Sequence, residues 1–281
     1  MHTILVHNQK GGVGKTTSVA ALAAVWGFGG VRVLVVDGDQ QAHATMSLGV
    51  AREAVTSDES TYGVLARQRP LARVVRPAAV PGVAVLGGHA DMATLDLALA
   101  GVQFGRELLL QKALASVAGA YDVALIDLGA ARNLAWANGV VAADWLVVPT
   151  QLEAGAVDGT VQLVQGAREL APVIGREVGL LAVVPTRVPV VGRTRESRAL
   201  EAALREHFGP AVTAVVHESP RAASALGAGA DLVTYAPESR AAADYTRIAA
   251  QLAQRVGLPF APAATGPTLA STPATAEPVE A

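Results

Sequence analysis

An apolar run at residues 3–8 passes directly into Lys10-Gly11-Gly12-Val13-Gly14-Lys15-Thr16-Thr17, and a helix-forming stretch follows at once. Glycine tolerates positive φ, so consecutive backbone N–H groups in such a loop can turn into one concavity and cradle phosphate oxygens. A helix starting near Thr16 adds the positive end of its dipole. Lys15 can then reach β- and γ-phosphates, and the Thr16 hydroxyl can ligate Mg²⁺. A glycine turn alone has no need of Gly-Lys-Thr-Thr at a helix start. The ordinary phosphate-loop pattern wants its first glycine at position 9, where Gln9 stands; a lysine at position 10 takes its place in the motif.

The rest of the chain repeats the strand-then-helix rhythm. The first helix is expected over about Thr16 to Trp26, ended by Gly27, Gly29 and Gly30, with a second strand at Val31 to Val36 closing on Asp37. Further strands are expected at Val83–Leu86, Tyr121–Asp127, Trp145–Val148, Leu180–Val184 and Val212–Val216. Helices are expected over Leu95–Leu99, Leu108–Val117, Glu196–His207 and Ala241–Val256, and residues 51–80 read as irregular. Strands apolar throughout and alternating with helices predict an α/β fold, a doubly wound and mostly parallel sheet flanked by helices. Residues 1–258 read as one P-loop domain. From Pro259 the chain turns to Pro, Ala, Thr and Glu without apolar periodicity, and 259–281 are expected to be disordered.

Composition excludes several classes. There is no cysteine, which removes disulfides, thiolate metal sites and cysteine-held iron–sulfur clusters. A formal charge of −2 does not describe a strongly basic nucleic-acid binder. All but three of the 22 basic residues are arginine, and two of the three lysines, Lys10 and Lys15, lie inside the glycine loop. No run approaches the ~20 apolar residues of a membrane span, and the N-terminus has no signal-peptide pattern. A cytoplasmic protein without membrane attachment is expected.

Lys10 to Thr17 resembles the deviant Walker A motif of the ParA/MinD family of ATPases. The resemblance continues through Val33–Thr45, where Asp37-Gly-Asp39-Gln-Gln is similar to the family's Asp-x-Asp-Pro-Gln. It reappears in Tyr121–Asp127, in Val147-Val-Pro-Thr-Gln-Leu-Glu153, and in Thr234-Tyr-Ala-Pro-Glu-Ser. It implies ATP and Mg²⁺ as cofactors, a homodimer formed on ATP, non-specific duplex DNA as the track, and a ParB-like stimulating partner. Carried over by residue, Lys10 reaches the partner's phosphates, much as an arginine finger does. Gly11, Gly12, Val13, Gly14, Lys15, Thr16 and Thr17 hold the nucleotide, Asp39 orients the attacking water, and Asp127 with Thr16 holds Mg²⁺. Asp37 is expected beside the Mg²⁺ shell. Gln40, His43 and Leu128-Gly129-Ala130 depart from the family pattern. No second His or Cys is spaced to make His43 a metal ligand.

DNA contact would need exposed cations to displace counterions from phosphates. The candidates are Arg187, Arg193, Arg195, Arg198, Arg205 and Arg221, thinned locally by Glu196, Glu201, Glu206 and Glu218. Two other readings stay open: a relative that positions a protein cargo or the division site, and a weakly hydrolysing nucleotide-bound regulator. Adenine over guanine rests on the resemblance alone, since no guanine-reading Asn-Lys-x-Asp is present.

Overall fold

The protein is described by a computed structural model covering residues 1–170, 175 and 177–262. Its strands are β1 (His2–Val6), β2 (Val33–Gly38), β3 (Arg76–Pro77), β4 (Val83–Leu86), β5 (Val123–Leu128), β6 (Trp145–Gln151) and β7 (Gly179–Thr186). They make one sheet in the order β3-β4-β2-β5-β1-β6-β7, parallel except for the β3–β4 pair. Strand β1 is therefore interior, with β5 on one side and β6 on the other, and the chain crosses from one side of the sheet to the other around it. Such a switch point opens a crevice at the carboxyl ends of the strands.

Helices α1 (Lys15–Phe28), α2 (His43–Ser47), α3 (Thr61–Arg67), α4 (Leu71–Val74), α5 (Leu95–Ala98), α6 (Leu109–Ala115) and α7 (Leu134–Ala142) occupy the first part of the chain. The remainder carries α8 (Ala156–Leu170), α9 (Arg195–Phe208), α10 (Arg221–Gly227), α11 (Leu232–Tyr235) and α12 (Arg240–Val256). Alternate strand residues feed two cores. Ile4, Val6, Val33, Val35, Val123 and Leu125 pack on one face with α1 and α12. Leu5, Leu34, Val36, Ala124 and Ile126 pack on the other with α3, α6, α7 and α8. Both faces being covered explains why the strands read as unbroken apolar runs.

Helix α1 does not stop at Gly27. It continues to Phe28, because Gly27 is where the helix touches the β4 edge. A Cβ on that residue would lie 2.4 Å from the Pro81 carbonyl oxygen and 2.6 Å from Val83 Cγ2. Gly27→Ala should thus be destabilising by about 2 kcal/mol despite the gain of roughly 1 kcal/mol in helix propensity, because overpacking against backbone outweighs it. A fall in the urea midpoint at unchanged slope would show it; a rise would mean the contact is slack. One residue earlier, Trp26 is fully buried and donates its Nε1–H to Ala249 O at 2.9 Å, pinning α12 onto α1.

Three expectations are corrected. Val212–Val216 forms no strand of the sheet, only an isolated bridge from Val212 to Val183. Its apolar residues cover the β7 edge, and Arg205 takes the carbonyls of Val212 and Thr213. Residues 51–80 contain short helices, α3 capped by the Ser60 side chain. The packed chain also runs past Pro259: the Phe260 ring lies against Gly29, and Ala261 N donates to Gly29 O at 3.1 Å. Residues 263–281, which hold most of the expected disordered tail, lie outside the described residues.

Candidate nucleotide site

The glycine loop leaves the end of β1 and is fastened from several sides. Asn8 bridges outward and inward, its Nδ2 donating to Pro149 O at 2.8 Å and its Oδ1 accepting from Lys10 N at 3.0 Å. Thr186, at the end of β7, donates its hydroxyl to Val13 O at 2.7 Å. Gly12 and Gly14 have φ of 76° and 85°, the left-handed region that side chains resist. Gly14 is also the N-cap of α1; it offers no side chain to the first-turn N–H groups, and that turn holds no acidic residue. These donors are left for an anion.

Lys15 is buried, and its ammonium donates to Lys10 O at 3.0 Å. Burial pulls its pKa down, while Asp127 and Asp39 act the other way. Lys10 instead points out of the loop, 2.8 Å from Glu153 Oε1. His7, directly before the loop, is buried with neither ring nitrogen hydrogen-bonded. Burial, with Lys15 and Arg132 nearby, pushes its pKa down to about 3 and keeps it neutral.

The carboxylates sit at the neighbouring strand ends. Asp37 and Asp127 are register partners in the β2–β5 ladder, and Val6 flanks Asp127 on its other side. Both are buried, and burial raises both pKa values, that of Asp37 to about 6. Their surroundings differ. Asp37 accepts from Thr45 N (2.8 Å), Thr45 Oγ1 (2.7 Å) and Asp39 N (3.1 Å). Asp127 finds no well-formed hydrogen bond for either oxygen, although the Thr16 hydroxyl beside it favours the ionised form. A buried carboxylate left so, between a buried lysine and a threonine hydroxyl, fits a divalent cation that keeps waters and phosphate oxygens in its shell. Asp39 lines the open cavity in front of the loop; its Oδ1 accepts from Gln41 N at 2.9 Å. The departure at Leu128-Gly129-Ala130 is absorbed locally. Leu128 packs on Gly38, and Gly129 lies beside Asp39, where a Cβ would make only ordinary contact, 3.7 Å from its Oδ2.

The cavity, about 1040 Å³, extends from the loop past the end of β7 to residues 216–220 and α10. Arg187, its side chain about half exposed, borders it. Its φ of 53° turns the side chain back, so that Nη1 donates to Gly12 O and Nη2 to Glu218, both at 3.2 Å. Arg193 is paired with Glu201 at 2.6 Å, and Arg205 with the same carboxylate at 2.9 Å. Arg221 lies over the Tyr235 ring and 3.9 Å from Glu238. Arg195 and Arg198 remain exposed in the first turn of α9, without an ion-pair partner among the described residues. His43 lines the cavity, and no cluster of metal-ligating side chains surrounds it among the described residues.

Several site residues escaped the sequence reading. Glu153 was legible only as part of a matching segment, not as the partner of Lys10. Arg132 approaches Gln9, whose amide oxygen accepts from Nε and Nη2 at 2.5 and 2.8 Å when turned toward it. His217 and Asp244, 27 residues apart in the chain, meet at 2.7 Å.

A glycine cradle at the mouth of the interior strand β1, with a buried lysine and a strand-end carboxylate facing each other across it, defines a P-loop nucleotide-binding protein. The family model described as an AAA domain, AAA_31, matches residues 1–176. The chromosome-partitioning ATPase Soj of Thermus thermophilus is 36% identical over 255 residues, covering 90% of this chain and 96% of that protein. The chain belongs to the ParA/MinD family of P-loop ATPases. Among solved structures, cobyrinic acid a,c-diamide synthase from Mycobacterium smegmatis, with a bound ATP analog and magnesium, superposes with a TM-score of 0.76 at 27% identity. That match covers 96% of this chain and 99% of the other. Apo McdA from Cyanothece gives a TM-score of 0.78 at 21% identity, covering 90% and 99%. No described helix is long and apolar enough to cross a membrane.

Proposed function

We propose that this chain is a partitioning ATPase: it binds Mg-ATP, dimerises across two nucleotides, holds duplex DNA without sequence preference, and lets go on hydrolysis. The observation that carries the reading is the unsatisfied Asp127 carboxylate facing Lys15 at the glycine cradle. In this reading the loop amides and Lys15 hold the β- and γ-phosphates, and Thr16 and Asp127 hold Mg²⁺. When bound, the ion neutralises charge on the phosphates. Asp39 orients water. Asp37, with both oxygens already accepting hydrogen bonds, reads better as the residue that positions Asp39 than as a neighbour of the ion. Lys10 acts on the partner's phosphates, and a ParB-like protein would stimulate turnover.

The DNA surface would centre on Arg195 and Arg198, doubled by the dimer, with Arg221 at its margin. Four phosphates neutralised in this way would make affinity fall about tenfold between 100 and 200 mM salt. Binding to arbitrary duplex DNA, measured without nucleotide, with ADP and with ATP on the Asp39→Ala protein, should be tight with ATP alone. Ion pairing of Arg187, Arg193 and Arg205 favours a second reading, a relative that positions a protein cargo. ATP-loaded protein that ignores DNA at low salt would decide for it.

A further inference from the structure

Resting on the nucleotide reading above, we propose that Arg132 is a positioning residue for hydrolysis, bracing the loop after Asp127 against the phosphate loop and α8. Two departures in the sequence meet at this side chain. Gln9 stands where the ordinary phosphate loop has its first glycine, and Leu128-Gly129-Ala130 departs from the family pattern after Asp127. Gly129 leaves that segment little stiffness of its own. Yet the segment forms the wall next to Asp39: Gly129 lies beside the carboxylate, and Ala130 lines the cavity.

Arg132 follows two residues after Ala130 and reaches three separate elements. A guanidinium can only donate, so the Gln9 atom facing its Nε and Nη2, at 2.5 and 2.8 Å, is the amide oxygen. Nη2 also donates to Gln162 O of α8 at 2.9 Å. The guanidinium carbon lies 5.1 Å from the centre of the Trp136 ring of α7. Helix α8 makes room for this arrangement at Gly166. A Cβ there would come 2.6 Å from Arg132 Nη2 and 3.1 Å from its Cζ and Nη1. Glycine inside a helix is unfavourable, and here its missing side chain is the seat of the guanidinium. Gln9 directly precedes Lys10, so the brace sets how far the wall beside Asp39 stands from the wall that carries the two lysines. A planar fork spanning two acceptors and a ring fixes that separation as a flexible ammonium cannot. Binding needs the phosphate loop alone, whereas hydrolysis needs both walls in register.

The test combines steady-state hydrolysis, calorimetric binding of Mg-ATP and a thermal melt, each on the full chain. Arg132→Ala should lower kcat about tenfold or more while Mg-ATP affinity stays within about twofold of wild type. Gly166→Ala evicts the guanidinium from the α8 side without altering it. The clash falls on the tip of a flexible side chain, so the fold is spared and the melting temperature should rise by about 2 °C. Its kcat should nevertheless fall as far as that of Arg132→Ala, and a protein that gains stability while it slows has not been slowed by damage. In the double variant, Gly166→Ala should add no further loss, since both changes remove one contact. Arg132→Lys keeps the charge without the fork and should recover only part of kcat. Unchanged kcat in either alanine variant, a loss of affinity equal to the loss of kcat, or full turnover in Arg132→Lys would overturn the proposal. Should Arg132→Ala fail to fold, Gly166→Ala decides alone. A wild-type protein that binds Mg-ATP without hydrolysing it sinks this proposal alone; one that does not bind it sinks the nucleotide reading as well.

Discussion

Lys15→Ala is expected to weaken Mg-ATP binding about 10³-fold, because two charge-assisted hydrogen bonds to phosphate are lost at roughly 2 kcal/mol each. The side chain is buried and bonded to Lys10 O, so its ammonium is already aimed across the cradle. Calorimetry with Mg-ATP, alongside a thermal melt to confirm folding, measures the effect. Affinity within threefold of wild type would show that the loop does not hold phosphate. Lys10→Ala makes the contrast. Its ion pair with Glu153 is about half exposed on both sides and contributes at most about 1 kcal/mol. The ammonium can exchange that partner easily for a phosphate of a second protomer. Monomer affinity for ATP should survive in Lys10→Ala while hydrolysis is lost.

Asp127→Asn is expected to cut Mg²⁺-dependent hydrolysis at least about 10²-fold while making the nucleotide-free protein more stable by about 2 kcal/mol. The same burial causes both effects. A carboxylate with no well-formed hydrogen bond is costly to keep ionised in the fold, and Asp37 on the adjacent strand adds repulsion. The folded pKa therefore lies above that of the unfolded chain, and the native state binds the extra proton between the two values. Stability from this group falls as pH rises. His7 works in the opposite sense: its folded pKa near 3 lies below the ordinary imidazole value of 6.5, so stability is lost as pH falls between them. The informative quantity is the difference between the two proteins, in which His7 cancels. That difference should be largest at alkaline pH and close on acidification, as wild-type Asp127 takes up its proton. A variant less stable than wild type at every pH would show that the carboxylate is satisfied in solution.

The strands were legible because both sheet faces are covered. Val83–Leu86 is bounded as its apolar run suggests, and β5 and β7 differ from expectation only at their ends. Helix α7 was not legible: nearly every residue in it is buried, so it lacks the polar stripe that reveals a helix. Gly27 misled because a glycine required by close packing looks, in sequence, like one that ends a helix. The pairing of the arginines was not legible either. Arg187 and Arg193 are charged residues in a loop, and only the tertiary fold shows that one turns inward to Gly12 and the other is neutralised by Glu201 eight residues on. The phosphate loop needed no such help, since its function is carried by contiguous residues. The His217–Asp244 pair has no local signature at all.

The margins of the sheet have a consequence for how copies of this protein can meet. At one border, β3 is two residues long and ends in Pro77, which has no N–H to offer. At the other, residues 212–216 lie along β7, with Thr213 N donating to Val183 O and Val216 N to Pro185 O. Neither border offers a free ladder, so two copies cannot zip together edge to edge, as exposed strands do in runaway aggregation. Among the described residues, growth of a filament by adding strands is therefore disfavoured at both borders.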